Sequence, residues 1–329
     1  MQRSRIVGTG TYLPARKVTN DELVKEFGIN TSDAWIRERT GIGARRIAAP
    51  DEATSDMATA ASHKALEMAG IAPAELDMIV VGTVTPDMPF PSAAALVQAK
   101  IGAKKAVCFD VSAACAGSLY ALSIADSFLR GGTAKKVLVI GAELLTRISD
   151  WKDRATCVLF GDAAGAMVVV PETRPDRGIF STHLYTDGTQ ADILKIPGGG
   201  SQKPFSPDVW EKREQFIKMN GREVYKTAVR VLEAASREAL QRNGYQPKDV
   251  DYVIAHQANL RILDAVMKRL EIPLEKCEVN IDQVGNTSSA SVPLTLDQAN
   301  RAGKLKDGDL VLMMAIGGGM AWGSALLKW

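Results

Sequence analysis

Short runs of consecutive apolar residues alternate along the chain with longer stretches in which apolar positions recur about every three or four residues. Continuous apolar runs are typical of strands buried on both faces of a sheet, and the longer recurrence is typical of helices with one buried face. The predicted strands are Arg5–Val7, Met78–Val81, Ala106–Asp110, Val137–Ile140, Ala166–Val170, Asp251–Ala255, Glu278–Ile281, Leu310–Ile316 and Ala325–Lys328. The predicted helices are Ser55–Ala69, Ala116–Leu129, Glu223–Arg242, Leu260–Leu270 and Ser289–Arg301. This alternation predicts an α/β fold.

The pattern also repeats once. The segment Leu76–Val81 resembles Val250–Ala255, with corresponding residues 174 positions apart, a spacing that we call the repeat offset. The strand that contains Gly141 resembles the strand that contains Ala315, and this second pair has the same offset. Buried strands can look alike by chance, but two pairs at one offset favour a duplication.

Each copy contains a corner between a strand and a helix, near Cys115 in the first copy and near Ser289 in the second. The simplest account is therefore a chain of two similar α/β halves, residues 1–175 and 176–329. The length of 329 residues allows such an arrangement, because about 100–200 residues make one domain.

Composition and charge exclude several classes of function. The chain has 40 Lys and Arg against 38 Asp and Glu, so it lacks the basic excess that nucleic-acid binding requires. The longest apolar run, Leu310–Ile316, is far below the roughly 20 residues that span a bilayer. The N-terminus has no apolar stretch typical of a secretory signal. We therefore expect a cytoplasmic protein that binds neither nucleic acid nor membrane.

Cys115 is the strongest candidate for chemistry. It follows a predicted strand and begins a predicted helix, where the positive end of the helix dipole favours a thiolate. The alternative is an inert core cysteine, since buried cysteines are common. The other three cysteines, Cys108, Cys157 and Cys277, lie in or beside strand patterns, and no pair has the C-x-x-C spacing of a metal or redox site. We therefore expect no metal.

His256 and Asn286 are the other candidates. His256 ends a predicted strand, and ligands of open α/β sheets bind at the carboxyl ends of strands. His63 and His183 lie in a helix and an alternating strand and are expected to be structural or solvated. Asn286 belongs to a Gly-Asn turn, which is common before a helix cap. In the repeat, Asn286 and Cys115 occupy nearly equivalent corners, and facing corners would bring thiol, imidazole and amide together.

Three consecutive glycines follow the predicted strand Leu310–Ile316. The segment Gly317–Gly319 allows the backbone to approach a ligand closely, and its N–H groups are suited to an oxyanion. The alternative is a tight turn between two strands.

Seven segments together resemble the β-ketoacyl-acyl carrier protein synthase III family of the thiolase superfamily, in order and over nearly the whole chain. They are Ser32–Ile42, Pro89–Ala94, Ser112–Gly117, Phe160–Gly165, His256–Asn259, Gly285–Ser288 and Gly317–Ser324. The resemblance implies a thiolase-like fold, with two similar α/β halves in a layered α-β-α-β-α arrangement.

The resemblance implies a decarboxylating condensation that starts fatty acid synthesis. Cys115 attacks a short acyl-CoA, such as acetyl-CoA, and holds the acyl group. Malonyl-acyl carrier protein then loses CO₂, and its carbanion attacks the acyl-cysteine. His256 and Asn286 donate hydrogen bonds to the enolate oxygen, and the backbone N–H groups of Cys115 and Gly318 form the second oxyanion hole. Acyl-CoA is a substrate, so no cofactor is implied.

Binding residues follow from the same resemblance. The positions implied for CoA are Trp35, Arg39, Arg154, Gly221 and Asn259. Arg222 stands where the family usually has Asn, so this chain departs from the family at the polar contact of the tunnel.

Partners are implied too. A cluster on the helix after His256, formed by Arg261, Lys268 and Arg269, suits the acidic surface of acyl carrier protein, although most such clusters are solvated helix faces. Phe90 matches a residue that closes the acyl pocket of the partner in a homodimer, and Ile316 is a second candidate for that pocket.

Other condensing enzymes differ in their catalytic residues. Elongating synthases use two histidines, whereas the third position here is Asn286. Hydroxymethylglutaryl-CoA synthases need a glutamate that is missing from the segment 82–89, and the second cysteine of thiolases would lie well beyond Cys277. A secondary-metabolite condensing enzyme of alkylquinolone or polyketide type, or a carrier-protein-binding module without turnover, stays open.

Overall fold

The computed structural model describes residues 3–329, and thirteen strands form in this range. They are β1 (Arg3–Tyr12), β2 (Arg16–Thr19), β3 (Ala44–Ile47), β4 (Met78–Gly82), β5 (Val107–Val111), β6 (Val137–Glu143), β7 (Ala163–Glu172), β8 (Gly178–Thr186), β9 (Leu194–Lys195), β10 (Lys218–Met219), β11 (Tyr252–Ala255), β12 (Leu310–Gly317) and β13 (Ala321–Lys328). Eight of the nine predicted strands are thereby confirmed.

Helices alternate with these strands. They are α1 (Asn20–Phe27), α2 (Asp33–Thr40), α3 (Thr54–Ala69), α4 (Ala93–Ile101), α5 (Gly117–Arg130), α6 (Arg154–Cys157), α7 (Pro207–Glu211), α8 (Gly221–Arg242), α9 (Leu260–Leu270), α10 (Ile281–Val284) and α11 (Ser291–Arg301). The five predicted helices correspond to α3, α5, α8, α9 and α11, with ends that differ by at most two residues. Among residues 3–329, no helix combines the length and apolar character that a membrane crossing requires.

Two large sheets carry the fold. The first has the order β1-β7-β6-β4-β5, with β4 parallel to both β5 and β6 and with β7 and β1 antiparallel to their neighbours. The second has the order β11-β12-β13-β8, with β11 and β12 parallel. Strand β5 is an edge strand of the first sheet.

The prediction of a strand at Glu278–Ile281 is wrong. Only an isolated bridge between Cys277 and Val253 forms beside β11, because the buried side chain of Gln257 satisfies the backbone that follows. Gln257 Nε2 donates to the carbonyl of Glu278 at 2.8 Å, and Gln257 Oε1 accepts from the N–H groups of Asn280 and Ile281, both at 2.9 Å. A buried amide thus replaces the fifth strand of the second sheet.

The layers follow from which helices cover which face. Helices α3 and α4 pack on the outer face of the first sheet, and α8 and α9 on the outer face of the second. Helices α5 and α11 lie between the sheets, in a core that contains Leu119 and Leu122 from α5 and Val292 and Leu296 from α11. The predicted α-β-α-β-α arrangement is confirmed. The division at residue 175 stays a prediction.

The repeat offset holds for the elements themselves. Val137 pairs with Met78 in the first sheet, and the equivalent pair in the second sheet, Val311 with Tyr252, occurs at the same offset. Helices α5 and α11 begin at Gly117 and Ser291, which are again separated by the repeat offset.

Candidate active site

Cys115 lies in a short 3₁₀ turn, Ala114–Ala116, between β5 and α5. The turn is tight: Ala114 has φ +45°, a conformation that residues with a Cβ seldom adopt. Strand β12 ends directly against this turn, and a Cβ on Gly317 would stand 2.4 Å from the backbone nitrogen of Cys115. Glycine is therefore required at Gly317 for this close approach.

The thiol of Cys115 does not have the expected low pKa. Burial raises the pKa of Cys115 to about 12, and the charge of Glu143 acts in the same direction. A hydrogen bond with Ser288 and the backbone N–H of Cys115 itself oppose the shift. The expectation that the helix dipole favours a thiolate is wrong, because desolvation outweighs the dipole. Cys115 is therefore a protonated thiol at rest.

His256 follows β11 as expected, at the carboxyl end of the strand. Its backbone N–H donates to the carbonyl of Met314 at 2.8 Å, which continues the parallel pairing with β12. The ring is buried, and both Nδ1 and Nε2 lack a partner in the described chain. Burial lowers the pKa of His256 to about 3, so the ring is neutral and one nitrogen carries a free N–H.

Asn286 lies at the second corner, between α10 and α11. Its backbone N–H donates to Leu159 at 2.8 Å, and its carbonyl accepts from Gly161 at 3.0 Å, which fixes the main chain against the first half. Its side-chain Oδ1 accepts the backbone N–H of Ser288 at 2.9 Å. The NH₂ group of Asn286 donates to no group among the described residues, so it is available to a ligand.

These three residues meet in one cavity of about 740 Å³. The cavity also contains Trp35, Arg39, Gly221, Asn259, Arg261 and Ile316 from the predicted set. Among residues 3–329, its wall includes four cationic side chains, Arg39, Arg222, Lys226 and Arg261, and no acidic side chain. A cavity of this kind suits a ligand whose polyanionic part lies at the entrance and whose reacting part lies at the buried end.

Two guanidinium groups flank the indole of Trp35. Arg154 lies 4.9 Å and Arg39 5.6 Å from the ring centre. Arg154 also donates to the carbonyl of Asn30 at 2.9 Å. The indole and these cations form a platform on which a flat aromatic base can stack.

Asn259 is held at the entrance of the cavity. Its Oδ1 caps α9 by accepting the N–H of Arg261 at 2.9 Å, and its Nδ2 donates to the carbonyl of Arg39 at 3.0 Å. Asn259 therefore ties α9 to α2 and has little hydrogen-bonding capacity left for a ligand. Arg222 replaces the usual asparagine one residue after Gly221 and adds a positive charge to the cavity wall.

A smaller cavity, of about 390 Å³, opens on the other side of Cys115. It is mainly apolar, and its wall includes Val84, Leu145, Ile148, Phe160, Leu194, Ile196 and Ile217. Neither residue predicted for the acyl pocket lines it: Ile316 lines the larger cavity, and Phe90 lies on the surface with 84% exposure. The sequence pattern missed the apolar wall because its members are scattered over five different segments.

Gly318 joins Cys115 in the wall of the smaller cavity. It lies in the turn between β12 and β13, just beyond the last paired residue, Gly317. Its N–H donates to no group within residues 3–329. The position expected for an oxyanion-hole donor is therefore geometrically available.

The basic cluster on α9 separates into two parts. Arg261 lines the cavity, whereas Lys268 and Arg269 lie two turns further along the helix. Lys268 pairs with Asp264 at 2.7 Å, and Arg269 pairs with Glu233 of α8 at 3.1 Å. Exposed pairs of this kind contribute little and can exchange partners, so both cations remain accessible to a partner.

Two groups beside the site were not predicted from the sequence. Ser288 lines the smaller cavity next to Cys115, and Glu143 is fully buried behind it. The signal that could have found Glu143 is the repeat itself: an acidic residue at the end of an apolar strand stands one repeat offset before Gly317.

Comparison with known proteins agrees with this geometry. Residues 109–188 match the family model of 3-oxoacyl-[acyl-carrier-protein] synthase III, and residues 240–329 match the model of its C-terminal part. The β-ketoacyl-[acyl-carrier-protein] synthase III of Xanthomonas campestris is 52% identical over 99% of this chain and 98% of its own length.

Solved structures show the same relationship. The 3-oxoacyl-[acyl-carrier-protein] synthase III of Aquifex aeolicus superposes with a TM-score of 0.92 at 48% identity, covering 99% of this chain and all of that one. A priming β-ketosynthase from a polyketide biosynthetic pathway superposes with a TM-score of 0.91 at 39% identity, covering 99% and 96% of the two chains.

Proposed function

The chain belongs to the 3-oxoacyl-[acyl-carrier-protein] synthase III family, and we propose that it condenses a short acyl-CoA with malonyl-acyl carrier protein to start fatty acid synthesis. One observation carries the proposal: Cys115, His256 and Asn286 converge at the buried end of a cavity that is cationic and has no acidic side chain. The phosphates of CoA and of the carrier's phosphopantetheine arm suit that wall.

Acyl transfer comes first. Cys115 Sγ attacks the thioester carbonyl of the acyl-CoA, the bond from that carbon to the CoA sulfur breaks, and the thiol proton leaves with the CoA thiol. The N–H groups of Cys115 and Gly318 stabilise the negative oxygen that forms during the attack; one such donor is worth about 3–4 kcal/mol. A thiol suits this role because sulfur both accepts and releases an acyl group. No cofactor is needed.

Condensation follows at the same sulfur. The malonyl thioester loses CO₂, and the bonding electrons form an enolate whose carbon attacks the acyl-cysteine, releasing Cys115 and a β-ketoacyl thioester on the carrier. The unpartnered N–H of His256 and the NH₂ group of Asn286 face the same cavity and are suited to hold the enolate oxygen. Because the ring of His256 is neutral, it acts as a donor and does not need to lose a proton.

The two cavities divide the substrate between them. The larger cavity suits CoA or the phosphopantetheine arm, with the adenine end against Trp35, Arg39 and Arg154. The smaller cavity is apolar and begins at Cys115, so it suits the acyl chain. Its apolar wall suits a hydrocarbon chain rather than a charged group.

The proposed acyl carrier protein partner suits the exposed basic residues at the entrance. Arg261 would contact the carrier nearest the cavity, and Lys268 and Arg269 would extend the contact along α9. Charge pairing at the edge of such an interface mainly raises the association rate and depends on salt. The KM for malonyl-acyl carrier protein is therefore expected to rise with ionic strength.

We also propose a homodimer formed through the first sheet. Strand β5 is a sheet edge, and its first residue, Val107, is 60% exposed, which is unusual for an apolar strand residue. Met88 and Phe90 are exposed as well. Pairing of two copies of β5 would cover this edge and bring Phe90 to the second copy's acyl cavity.

We place the protein in the cytoplasm, which suits its four free cysteines.

A condensation assay tests the function. Acyl-CoA and malonyl-acyl carrier protein should yield a β-ketoacyl product and CO₂, and the Cys115→Ala variant should yield neither. Products formed only with an alkylquinolone or polyketide precursor would favour the secondary-metabolite alternative. This alternative is worth testing because one of the similar solved structures is a priming β-ketosynthase from a polyketide pathway. Carrier-protein binding without any turnover would show a binding module instead.

A further inference from the structure

Glu143 is a fully buried carboxyl group that no cation accompanies. It ends β6, and no salt bridge to it occurs among residues 3–329. Its oxygens instead accept from Thr85 Oγ1 at 2.6 Å and from the N–H of Val84 at 3.2 Å. Burying a carboxyl group without a cation is costly, and burial raises the pKa of Glu143. A group retained at such a cost usually has a role beyond packing.

The carboxyl group joins the two halves of the chain beside the active site. Thr85 and Val84 follow β4 in the first half, whereas Ser288 and Ser289 form the corner of the second half. Ser288 Oγ donates to Glu143 Oε1 at 3.0 Å, and Ser289 Oγ donates to the same atom at 3.1 Å.

Ser288 passes this contact on to two catalytic groups. Its backbone N–H donates to Oδ1 of Asn286 at 2.9 Å, which orients the amide. Its side chain lies together with Cys115 in the wall of the smaller cavity. Ser288 also has φ +49°, a strained conformation for a residue with a side chain, so a second contact is needed to hold it.

We propose that Glu143 is a positioning residue: its carboxyl group fixes Ser288 and, through Ser288, orients the amide of Asn286 and shapes the surroundings of Cys115 Sγ. This inference rests on the proposed function for the meaning of the orientation. Glu143 lines neither cavity, so it acts without touching substrate.

The variant Glu143→Gln tests the inference, because it keeps the shape and places an amide NH₂ group among hydroxyl and N–H donors. The orientation of Asn286 should then be lost, and decarboxylation of malonyl-acyl carrier protein should fall about ten- to hundredfold, with KM within about threefold. Both oxygens of Glu143 accept hydrogen bonds, as expected of a carboxylate. Alkylation of Cys115 by iodoacetamide at pH 8, followed on its own peptide, should therefore accelerate about threefold or more in Glu143→Gln, because the negative charge near the thiol is removed.

Opposite changes in the two rates, with the midpoint of urea unfolding unchanged, distinguish positioning from a structural role, because a loosened fold would lower that midpoint while exposing the thiol. The matched control is Glu172→Gln, which alters another buried carboxyl group, one that pairs with Arg5 and lines neither cavity. It should leave both rates unchanged.

A second variant covers the case in which Glu143→Gln does not fold. Ser288→Ala removes the hydroxyl that Glu143 holds but leaves the charge of Glu143 in place, so decarboxylation should fall and alkylation of Cys115 should not accelerate. Decarboxylation within twofold of the parent in either variant, or parallel losses of both rates in Glu143→Gln, overturns the inference. A parent that forms no β-ketoacyl product would overturn the proposed function, and the alkylation rates of the two variants would still decide the contact between Glu143, Ser288 and Cys115.

Discussion

The two strand-to-helix corners, at Cys115 and at Ser289, have the same backbone conformation, but only the corner at Cys115 carries the proposed chemistry. Each is a 3₁₀ turn, Ala114–Ala116 or Ser288–Ala290, followed at once by a helix between the sheets. The first residue of each turn has a positive φ, +45° in one and +49° in the other. Cys115 opens on both cavities, whereas its equivalent in the second corner, Ser289, lines neither.

The difference lies in what faces each corner. Gly317 faces Cys115, and its missing side chain lets strand β12 approach the backbone of the turn closely. The equivalent of Gly317 in the other half is Glu143, one repeat offset earlier, and its side chain accepts a hydrogen bond from the hydroxyl of Ser289. Ser289 is fully buried and also donates to the carbonyl of Gly82 at 2.6 Å.

The donors differ in the same way. His256 and Asn286 lie opposite Cys115, whereas their equivalents one repeat offset earlier are Gly82 and Ser112, which supply neither an imidazole nor an amide. A strand-to-helix corner alone is therefore not a reactive site. The corner at Cys115 also has a nucleophile, cavities that reach it, and hydrogen-bond donors from the other half.

The largest expected effect comes from making the first corner chemically like the second. Cys115→Ser should lower condensation at least about 1,000-fold, because a hydroxyl without a neighbouring base is a far weaker nucleophile than a thiol. Product formation from acyl-CoA and malonyl-acyl carrier protein measures it. The reverse change, Ser289→Cys, should create no second reactive site, and acylation at this position would contradict the difference between the two corners.

The donors opposite Cys115 should matter for one step more than for the other. His256→Ala and Asn286→Ala should each lower malonyl decarboxylation about 100- to 1,000-fold, since each removes a hydrogen bond to the enolate oxygen. Acyl transfer to Cys115 should fall much less. Separate assays of CO₂ release and acyl-enzyme formation measure the two steps. His63→Ala, on the exposed face of α3, is the control, and equal losses in both steps would refute the assigned role.

Adding a side chain at Gly317, opposite Cys115, should have a smaller effect, both on acyl transfer and on stability. In Gly317→Ala the new Cβ meets the backbone nitrogen of Cys115, so the turn must move. We expect acyl transfer to fall about ten- to hundredfold and the free energy of unfolding to fall by about 1–3 kcal/mol. Gly188→Ala is the control, because nothing lies within 4 Å of its added Cβ. An unchanged rate of acyl transfer in Gly317→Ala would show that the close approach of β12 to the turn is not needed for the reaction.

The smallest effect is a dependence of stability on pH. The pKa of His256 is about 3 in the folded chain and 6.5 in the unfolded one, so only the unfolded chain takes up the proton as the pH falls below 6.5. His256 should therefore cost about 2 kcal/mol of stability between pH 6.5 and pH 5. Urea unfolding of the parent and of His256→Asn measures the difference. Parallel pH profiles would mean that the ring is not buried as a neutral group.

Local patterns sufficed for the elements that carry the site. Cys115, His256 and Asn286 follow apolar runs or turn signals, and the repeat offset placed their corners opposite one another. The failures have one cause: contacts between distant segments. The strand expected at Glu278–Ile281 is replaced by hydrogen bonds from Gln257, and the thiolate expected at Cys115 is overridden by burial.

The most direct test of the account is to map where the acyl group goes. The protein is treated with a short acyl-CoA, without the malonyl substrate, and its peptides are examined by mass spectrometry. The account predicts one acyl group per chain, on Cys115 alone and absent from Cys115→Ala. An acyl group on Ser289, or on Cys108, Cys157 or Cys277, would contradict the claim that one of two matching corners carries the chemistry.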